Sequence, residues 1–198
     1  MGVLEESQSG LVPLPESARA LSHWAISQVV KPGEQVVDAT AGNGYDTLFL
    51  AKQVGELGRV FSFDVQQLAL TRTREKLEEQ ALDGRCQLIL DSHEHLTRHV
   101  QAPVAACMFN LGYLPAGDRA VKTLWPSTQK AIVSALSLLR PGGRVSICAY
   151  PGHTEGRQEA EALTEWLKTL REAEYTALHL VFANQTENAP QWFVIERK

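Results

Sequence analysis

The sequence lacks the markers of several protein classes. It has no run of 18 apolar residues, and its first residues, MGVLEESQSG, contain no basic stretch leading into an apolar core. Its three cysteines are scattered and odd in number, which indicates reduced, buried thiols. A net charge of -4 argues against broad adhesion to nucleic acid, although a local basic patch could still bind a small folded RNA. We therefore expect a soluble, cytoplasmic protein with no membrane and no DNA partner.

Several catalytic motifs are also missing. The chain has no Gly-Lys-Ser/Thr phosphate loop, no HExxH zinc motif and no GxSxG turn. His95 and His99 could share one helical face, but no paired cysteines or distant ligand accompany them, so we predict no metal site. No linker or repeat divides the chain. This predicts one domain over residues 1–198, with a flexible segment at 1–13.

The most informative segment is VVDATAGNGYDTLFL, residues 36–50. An apolar run ends in Asp38, at the carboxyl end of a predicted strand, where open parallel sheets bind ligands. Gly42 and Gly44 allow a tight turn close to a ligand, and Asp46 and Thr47 can cap the helix that follows. The pattern predicts a nucleotide-shaped cofactor site, with a ligand-free strand-to-helix turn as the alternative.

The acidic residues at successive strand ends indicate which cofactor binds. Asp64 follows Gly44 by twenty residues, the spacing at which a carboxylate can accept hydrogen bonds from ribose hydroxyls. The dinucleotide fingerprint requires a third glycine where Thr47 stands. Asp38, Asp46, Asp64 and Asp91 would repel a pyrophosphate and attract a sulfonium and an ammonium group. We therefore predict S-adenosylmethionine as the cofactor.

Helices and strands alternate along the chain. This alternation, followed by two strands close together in sequence, predicts an α/β fold of the Rossmann-like class I methyltransferase type, a mostly parallel seven-stranded sheet with a C-terminal antiparallel hairpin. The predicted strands are 36–38, 59–63, 86–90, 104–109, 144–150, 177–183 and 191–197, and the predicted helices are 16–30, 47–53, 66–79, 127–139 and 155–172.

A second segment, FNLGYLPAGD at 109–118, follows the fourth predicted strand. Asn110 can accept a hydrogen bond from an amine, Gly112 leaves room for the backbone to bend, and Tyr113 can stack on a planar base. NLGY is similar to the Asn-Pro-Pro-Tyr motif of methyltransferases that alkylate amino groups, with Leu111 and Gly112 replacing the prolines. The alternative is a loop with a capping Asn and a packed Tyr.

Together these motifs resemble a small bacterial family long labelled rRNA methylases. The segments that carry the resemblance run from about Leu14 to the end of the chain: VVDATAGNGYDTLFLA, FDVQ at 63–66, DSHEHL at 91–96, FNLGYLPAGD, and YPGH followed by Glu155. Members of that family are understood as tRNA wobble-uridine methyltransferases, which convert 5-aminomethyl-2-thiouridine to its 5-methylaminomethyl form. The chain departs from the family pattern at Tyr45, where related members often have His, and at Glu155 and Gly156, where they tend to have Gly-Gly.

The resemblance implies roles for individual residues. Asp38, Asn43, Asp46 and Thr47 would surround the methionine portion of the cofactor, Asp64 and Gln66 the ribose, and Asp91 with Ser92 the adenine edge, while Thr40, Gly42, Gly44 and His93 complete the cofactor set. Asn110, Tyr113 and Asp118 would face the acceptor, and Tyr150 and His153 would close the pocket. The implied partner is the anticodon stem-loop of a tRNA, bound by a monomer or a homodimer.

The expected chemistry is attack of a neutral primary amine on the sulfonium methyl group. An alkylamine is mainly protonated near neutrality, so a base must take up one proton, and Asp46, Asp118 and His153 are all candidates. Two other functions stay open at this point. One is methylation of another RNA or of a small-molecule or protein amine, and the other is a non-catalytic cofactor-binding module.

Overall fold

Seven strands form one mixed sheet in the order β3-β2-β1-β4-β5-β7-β6. The structure is a computed structural model that describes residues 14–118 and 120–198. The strands are β1 Gln35–Asp38, β2 Arg59–Asp64, β3 Cys86–Leu90, β4 Val104–Asn110, β5 Leu139–Ala149, β6 Tyr175–Leu180 and β7 Gln191–Arg197. The α-helices are α1 Ala18–Ser27, α2 Tyr45–Val54, α3 Gln67–Glu78, α4 Leu96–His99, α5 Trp125–Leu138 and α6 Thr154–Leu167, and short 3-10 turns occupy Asp83–Arg85 and His93–His95.

The strand directions confirm the predicted fold class. Strands β1 to β5 pair in parallel, and β7 runs antiparallel to both β5 and β6. The chain order reverses between β1 and β4, which lie side by side at the centre of the sheet. In open α/β sheets a ligand binds at this reversal, beyond the carboxyl ends of the strands. The fold therefore directs attention to the ends of β1, β2 and β4.

Helices cover both faces of the sheet because the central strands are buried on both sides. Val36 packs with residues of α1, α2 and α3, whereas Val37, the next residue on the strand, packs with residues of α5 and α6. Successive strand side chains point to opposite faces, so a continuous apolar run such as Val104–Phe109 is expected for a strand covered on both sides.

Some boundaries differ from the predictions. Strand β5 begins at Leu139, five residues before the predicted start, because Leu139 already pairs with Val104 across a register shift. The sequence PGG at 141–143 therefore lies within the strand, where Gly142 has a φ of +71°. Helix α6 ends at Leu167, earlier than predicted. The predicted flexible segment 1–13 lies outside the described residues, and within them no helix combines the length and the apolarity needed to cross a bilayer.

Candidate functional site

A cavity of about 740 Å³ opens at the carboxyl ends of the central strands. Its wall includes the glycine turn after β1, the ends of β2 and β3, the loop after β4 and the turn before α6. Most of the site residues predicted from the sequence line it: Thr40, Gly42, Asn43, Asp46, Asp64, Gln66, Asp91, Ser92, His93, Asn110, Tyr113, Tyr150 and His153. Asp38, Gly44, Thr47 and Asp118 do not line the cavity.

Asp38 and Thr47 lie beneath the cavity instead of on its surface. Both side chains are fully buried, and the Thr47 hydroxyl donates to the Asp38 carboxylate over 2.6 Å. The other Asp38 oxygen accepts the backbone N–H of Thr40 at 3.1 Å. Burial, with Asp46 nearby, raises the pKa of Asp38 to about 7. In the structure Asp38 and Thr47 bond to each other and to the backbone of Thr40, which ties the end of β1 to the glycine turn.

Gly44 also serves packing. It caps α2 with a φ of +79°, and a Cβ at this position would lie 2.8 Å from the Cα of Thr73 on α3. Asp118 is displaced from the wall because its backbone N–H donates to Gln66 Oε1 at 3.3 Å while its carboxylate caps the N–H of Ala120. The left-handed residue Ala116, with a φ of +58°, turns the loop before it reaches Asp118.

Asp64 is presented to the cavity by backbone groups. Its two oxygens accept the N–H groups of Gly42 at 3.0 Å and Gln66 at 2.9 Å. Burial raises the pKa of Asp64. Each carboxylate oxygen can accept a second hydrogen bond, so the group can still receive ribose hydroxyls.

The histidines after β3 surround Asp91. His95 Nδ1 lies 2.8 Å and His99 Nε2 2.9 Å from the Asp91 carboxylate, and these hydrogen bonds hold the pKa of Asp91 well below its usual range. His93 lies 3.1 Å from the carbonyl of Ala39 through Nδ1, which must therefore be the protonated nitrogen. Because burial lowers its pKa, His93 presents a neutral ring in the cavity wall.

Asn110 links the glycine turn after β1 and the start of α2 to the end of β5. Its backbone N–H donates to Thr40 Oγ1 at 2.7 Å, its side-chain amide donates to Asp46, and its side-chain oxygen accepts the Tyr150 hydroxyl at 3.3 Å. Burial raises the pKa of Tyr150 to about 12, so the hydroxyl keeps its proton. The second oxygen of Asp46 lies 2.7 Å from His23 Nε2. An amide and a carboxylate therefore occupy fixed positions in the wall.

His153 has a structural task at the start of α6. Its Nδ1 accepts the N–H of Gly156 at 3.1 Å, and among the described residues its buried Nε2 has no hydrogen-bond partner. The Tyr113 ring lies 5.7 Å away, centroid to centroid. A Cβ at position 156 would lie 2.2 Å from the Tyr150 carbonyl oxygen, so only glycine fits there. The neighbouring Glu155 forms an ion pair with Lys122. The chain therefore keeps glycine at 156, where the turn requires it.

Sequence reasoning missed the residues that hold the acceptor loop. Arg72 on α3 donates to Asn43 Oδ1 in the glycine turn and to the carbonyls of Pro115 and Ala116. Thr123 accepts the N–H of Gly112 at 2.7 Å and donates to the buried carboxylate of Glu159 at 2.6 Å. His23 is the third omission. Each partner lies more than ten residues away along the chain, and no local motif marks the pairing.

The reversal of strand order, the glycine turn and the acidic strand ends define a Rossmann-like, S-adenosylmethionine-dependent methyltransferase. The family model described as "Putative rRNA methylase" matches residues 60–196. The chain belongs to this family. Its predicted resemblance is thus confirmed.

Solved structures and a curated relative agree with this assignment. The chain is 40% identical to a Clostridium thermocellum protein described as a "putative rRNA-methylase", with a TM-score of 0.91, covering 95% of this chain and 100% of that one. A Streptococcus mutans protein described as "a putative methyltransferase", solved in complex with SAH, is 36% identical at a TM-score of 0.84, covering 95% of this chain and 100% of that one. The chloroplastic tRNA (mnm(5)s(2)U34)-methyltransferase of Arabidopsis thaliana is 35% identical over 158 residues, which span 75% of this chain and 58% of the relative.

Proposed function

We propose that the protein transfers the methyl group of S-adenosylmethionine to the aminomethyl nitrogen of 5-aminomethyl-2-thiouridine at the tRNA wobble position. The observation that carries the proposal is the fixed pair of Asn110 and Asp46 in the cavity wall, which suits a primary amine that arrives with a positive charge. The printed name of the Arabidopsis relative supports this substrate. Its chain extends beyond the part matched here, so the comparison supports the reaction at this site alone.

The cavity fits the proposed cofactor. The Asp64 carboxylate has acceptor capacity left for the ribose hydroxyls, and the neutral ring of His93 and the side chain of Ser92 lie near the end of β3, where the adenine would bind. Asp46 lines the same cavity, and its negative charge would attract the sulfonium. S-adenosylmethionine supplies an electrophilic methyl group, and the protein supplies position and charge.

Among the three candidate bases we propose Asp46. It lines the cavity and contacts Asn110, whereas Asp118 is turned away and His153 Nδ1 is engaged by Gly156. The substrate ammonium gives one proton to Asp46, the neutral nitrogen attacks the methyl carbon, and the carbon–sulfur bond breaks with its electron pair staying on sulfur. Asn110 Oδ1 orients the amine by accepting one of its remaining N–H groups.

The anticodon stem-loop is our proposal for the part of the tRNA that binds. A cytoplasmic location, the absence of DNA and membrane partners, and a monomeric or homodimeric state stay predictions from the sequence. A non-catalytic module would have no use for a carboxylate and an amide held at the cavity wall, so we favour an enzyme.

The test is to incubate the protein with S-adenosylmethionine and tRNA from cells lacking the gene, then digest the tRNA and measure wobble nucleosides by mass spectrometry. We expect loss of 5-aminomethyl-2-thiouridine and an equal gain of its singly methylated form. Asn110→Ala should abolish the conversion, while Asn184→Ala, at an exposed position of the β6–β7 loop, should not. Methylation of rRNA alone, or of no RNA despite cofactor binding, would refute the wobble-uridine proposal.

A further inference from the structure

Cations from two helices, α1 and α3, surround one exposed aromatic ring at the start of α2, beside the cavity. Tyr45, the first residue of α2, is 53% exposed. The Arg19 guanidinium of α1 lies 5.2 Å and the Lys76 ammonium of α3 lies 4.3 Å from the centre of its ring. Arg72 precedes Lys76 by four residues and therefore shares its face of α3. We call Arg19, Tyr45, Arg72 and Lys76 the Tyr45 cluster.

The positive charge of the Tyr45 cluster is not neutralised by carboxylates. In the part of the chain that the structure describes, none of its three cations lies within 4.0 Å of an Asp or Glu oxygen, and Arg72 donates only to neutral oxygens. Some of the other basic residues of this chain are paired with carboxylates, for example Arg140 with Glu34 and Arg144 with Glu196. A concentration of unpaired cations is unexpected on a chain with a net charge of -4 and suits an anionic ligand.

Arg19 and Tyr45 also belong to the cavity wall, so the cluster continues the cavity onto the surface. If one base of a nucleic-acid strand entered the cavity, the neighbouring nucleotides of that strand would lie over Arg19 and Tyr45. Phosphates are bound by Lys and Arg, and an exposed aromatic ring offers a stacking surface for any base. The cluster provides both.

We propose that the Tyr45 cluster binds the substrate RNA, with Arg19 and Lys76 contacting backbone phosphates and Tyr45 stacking on a base next to the methylated nucleotide. The inference rests on the proposed function and adds to it the residues that would hold the RNA.

The experiment measures tRNA binding by Lys76→Gln, Arg19→Gln and the double variant at salt concentrations from about 50 to 200 mM. Each lost phosphate contact should reduce the slope of log K against log salt by about 0.7 to 0.9, so the double variant should lose about 1.6. Tyr45→Leu should weaken tRNA binding severalfold and Tyr45→Phe should restore it. Arg74→Gln is the matched control, because Arg74 is exposed on the same helix two residues from Lys76.

The outcomes separate this inference from the proposed function. If the wild-type protein methylates tRNA and the cluster variants bind tRNA with the slope of Arg74→Gln, the inference is wrong and the function stands. If Lys76→Gln instead lowers the affinity for S-adenosylhomocysteine in calorimetry, the role is structural and the inference is wrong. If the wild type neither binds nor methylates tRNA, the proposed function fails and the inference fails with it.

Discussion

The two sides of the cavity are held by different kinds of contact. On the cofactor side, carboxylates at the ends of β1 and β2 accept backbone N–H groups from their own turns, as Asp38 does from Thr40 and Asp64 from Gln66. On the acceptor side, the loop 110–118 is held by side chains of other elements, Arg72 of α3 and Thr123 with Glu159 of α6. The cofactor side therefore combines bonds within each turn with a few links between elements, such as the Gly42 N–H to Asp64, whereas the bonds cited for the acceptor side all come from other elements.

This difference separates two properties of the enzyme. Changes in the contacts that hold the acceptor loop can alter the recognition of the acceptor without disturbing the turns that bind the cofactor. Asn110 and Asp46 connect the two sides, so a change there should affect the chemistry most strongly.

The largest effect is expected at Asp46. Asp46→Asn keeps the size of the side chain and removes the charge that faces the amine, so kcat should fall by about 100- to 1000-fold. Raising the pH to about 9 should recover part of the loss, because bulk water then supplies more neutral amine. The assay is steady-state methylation of tRNA from pH 7 to 9. A variant that retains kcat within about threefold would show that Asp46 is not the base.

Thr123 tests the acceptor side alone. Thr123→Val removes the acceptor for the Gly112 N–H and a donor to the buried Glu159, which should cost about 2 kcal/mol of unfolding free energy and raise KM for tRNA. Thr123→Ser retains the hydroxyl and is the control. Urea denaturation measures the unfolding free energy, and calorimetry with S-adenosylhomocysteine measures cofactor affinity. We expect the cofactor affinity of Thr123→Val to stay unchanged. A loss of cofactor affinity as large as the loss of tRNA affinity would show that the two sides are not independent.

Arg72 should affect both sides, because it contacts the glycine turn and the acceptor loop together. Arg72→Met is expected to lower kcat/KM about tenfold for both S-adenosylmethionine and tRNA, as loss of charged hydrogen bonds predicts. Arg74→Met is the matched control on the same helix. If only kcat/KM for tRNA falls, Arg72 contacts the RNA as part of the Tyr45 cluster and does not position the loops.

The cofactor side should show a dependence of stability on pH. The pKa of Asp38 is raised from 3.8 to about 7, so the folded protein binds this proton more tightly than the unfolded chain. The resulting stabilisation is complete below the unfolded pKa and is lost as the pH rises through 7. The unfolding free energy should fall by about 1 kcal/mol between pH 6 and pH 7, and this component should be absent in Asp38→Asn. Thermal denaturation at both pH values checks the difference.

The smallest effect is expected at Asp118. Its side chain caps the N–H of Ala120 and does not line the cavity, so Asp118→Asn should change kcat less than about threefold. The kcat of Asp118→Asn is measured in the same methylation assay as that of Asp46→Asn. A loss of 100-fold would mean that the loop rearranges when RNA binds and that Asp118 acts as the base.

The sequence predicted what depends on neighbouring residues. The apolar run before Asp38 and the glycines at 42 and 44 specify a strand and a tight turn within a few residues, so the turn and the acidic strand ends could be predicted. The prediction failed where a residue's place depends on a distant partner. Strand β5 begins at Leu139 because β4 lies beside it, and the backbone of Asp118 is held away from the cavity wall by Gln66, 52 residues earlier in the chain.

The sequence by itself determined the order of helices and strands, the sheet type, the cofactor class and a set of site residues most of which line the cavity. Only the tertiary structure decided that Asp38 and Thr47 lie beneath the turn, that His23 and Arg72 contact Asp46 and the acceptor loop, and that Arg19 and Lys76 meet at Tyr45. The physical reason is that backbone turns and apolar periodicity act over a few residues. Hydrogen bonds and charge contacts form between whichever side chains the packed helices bring together.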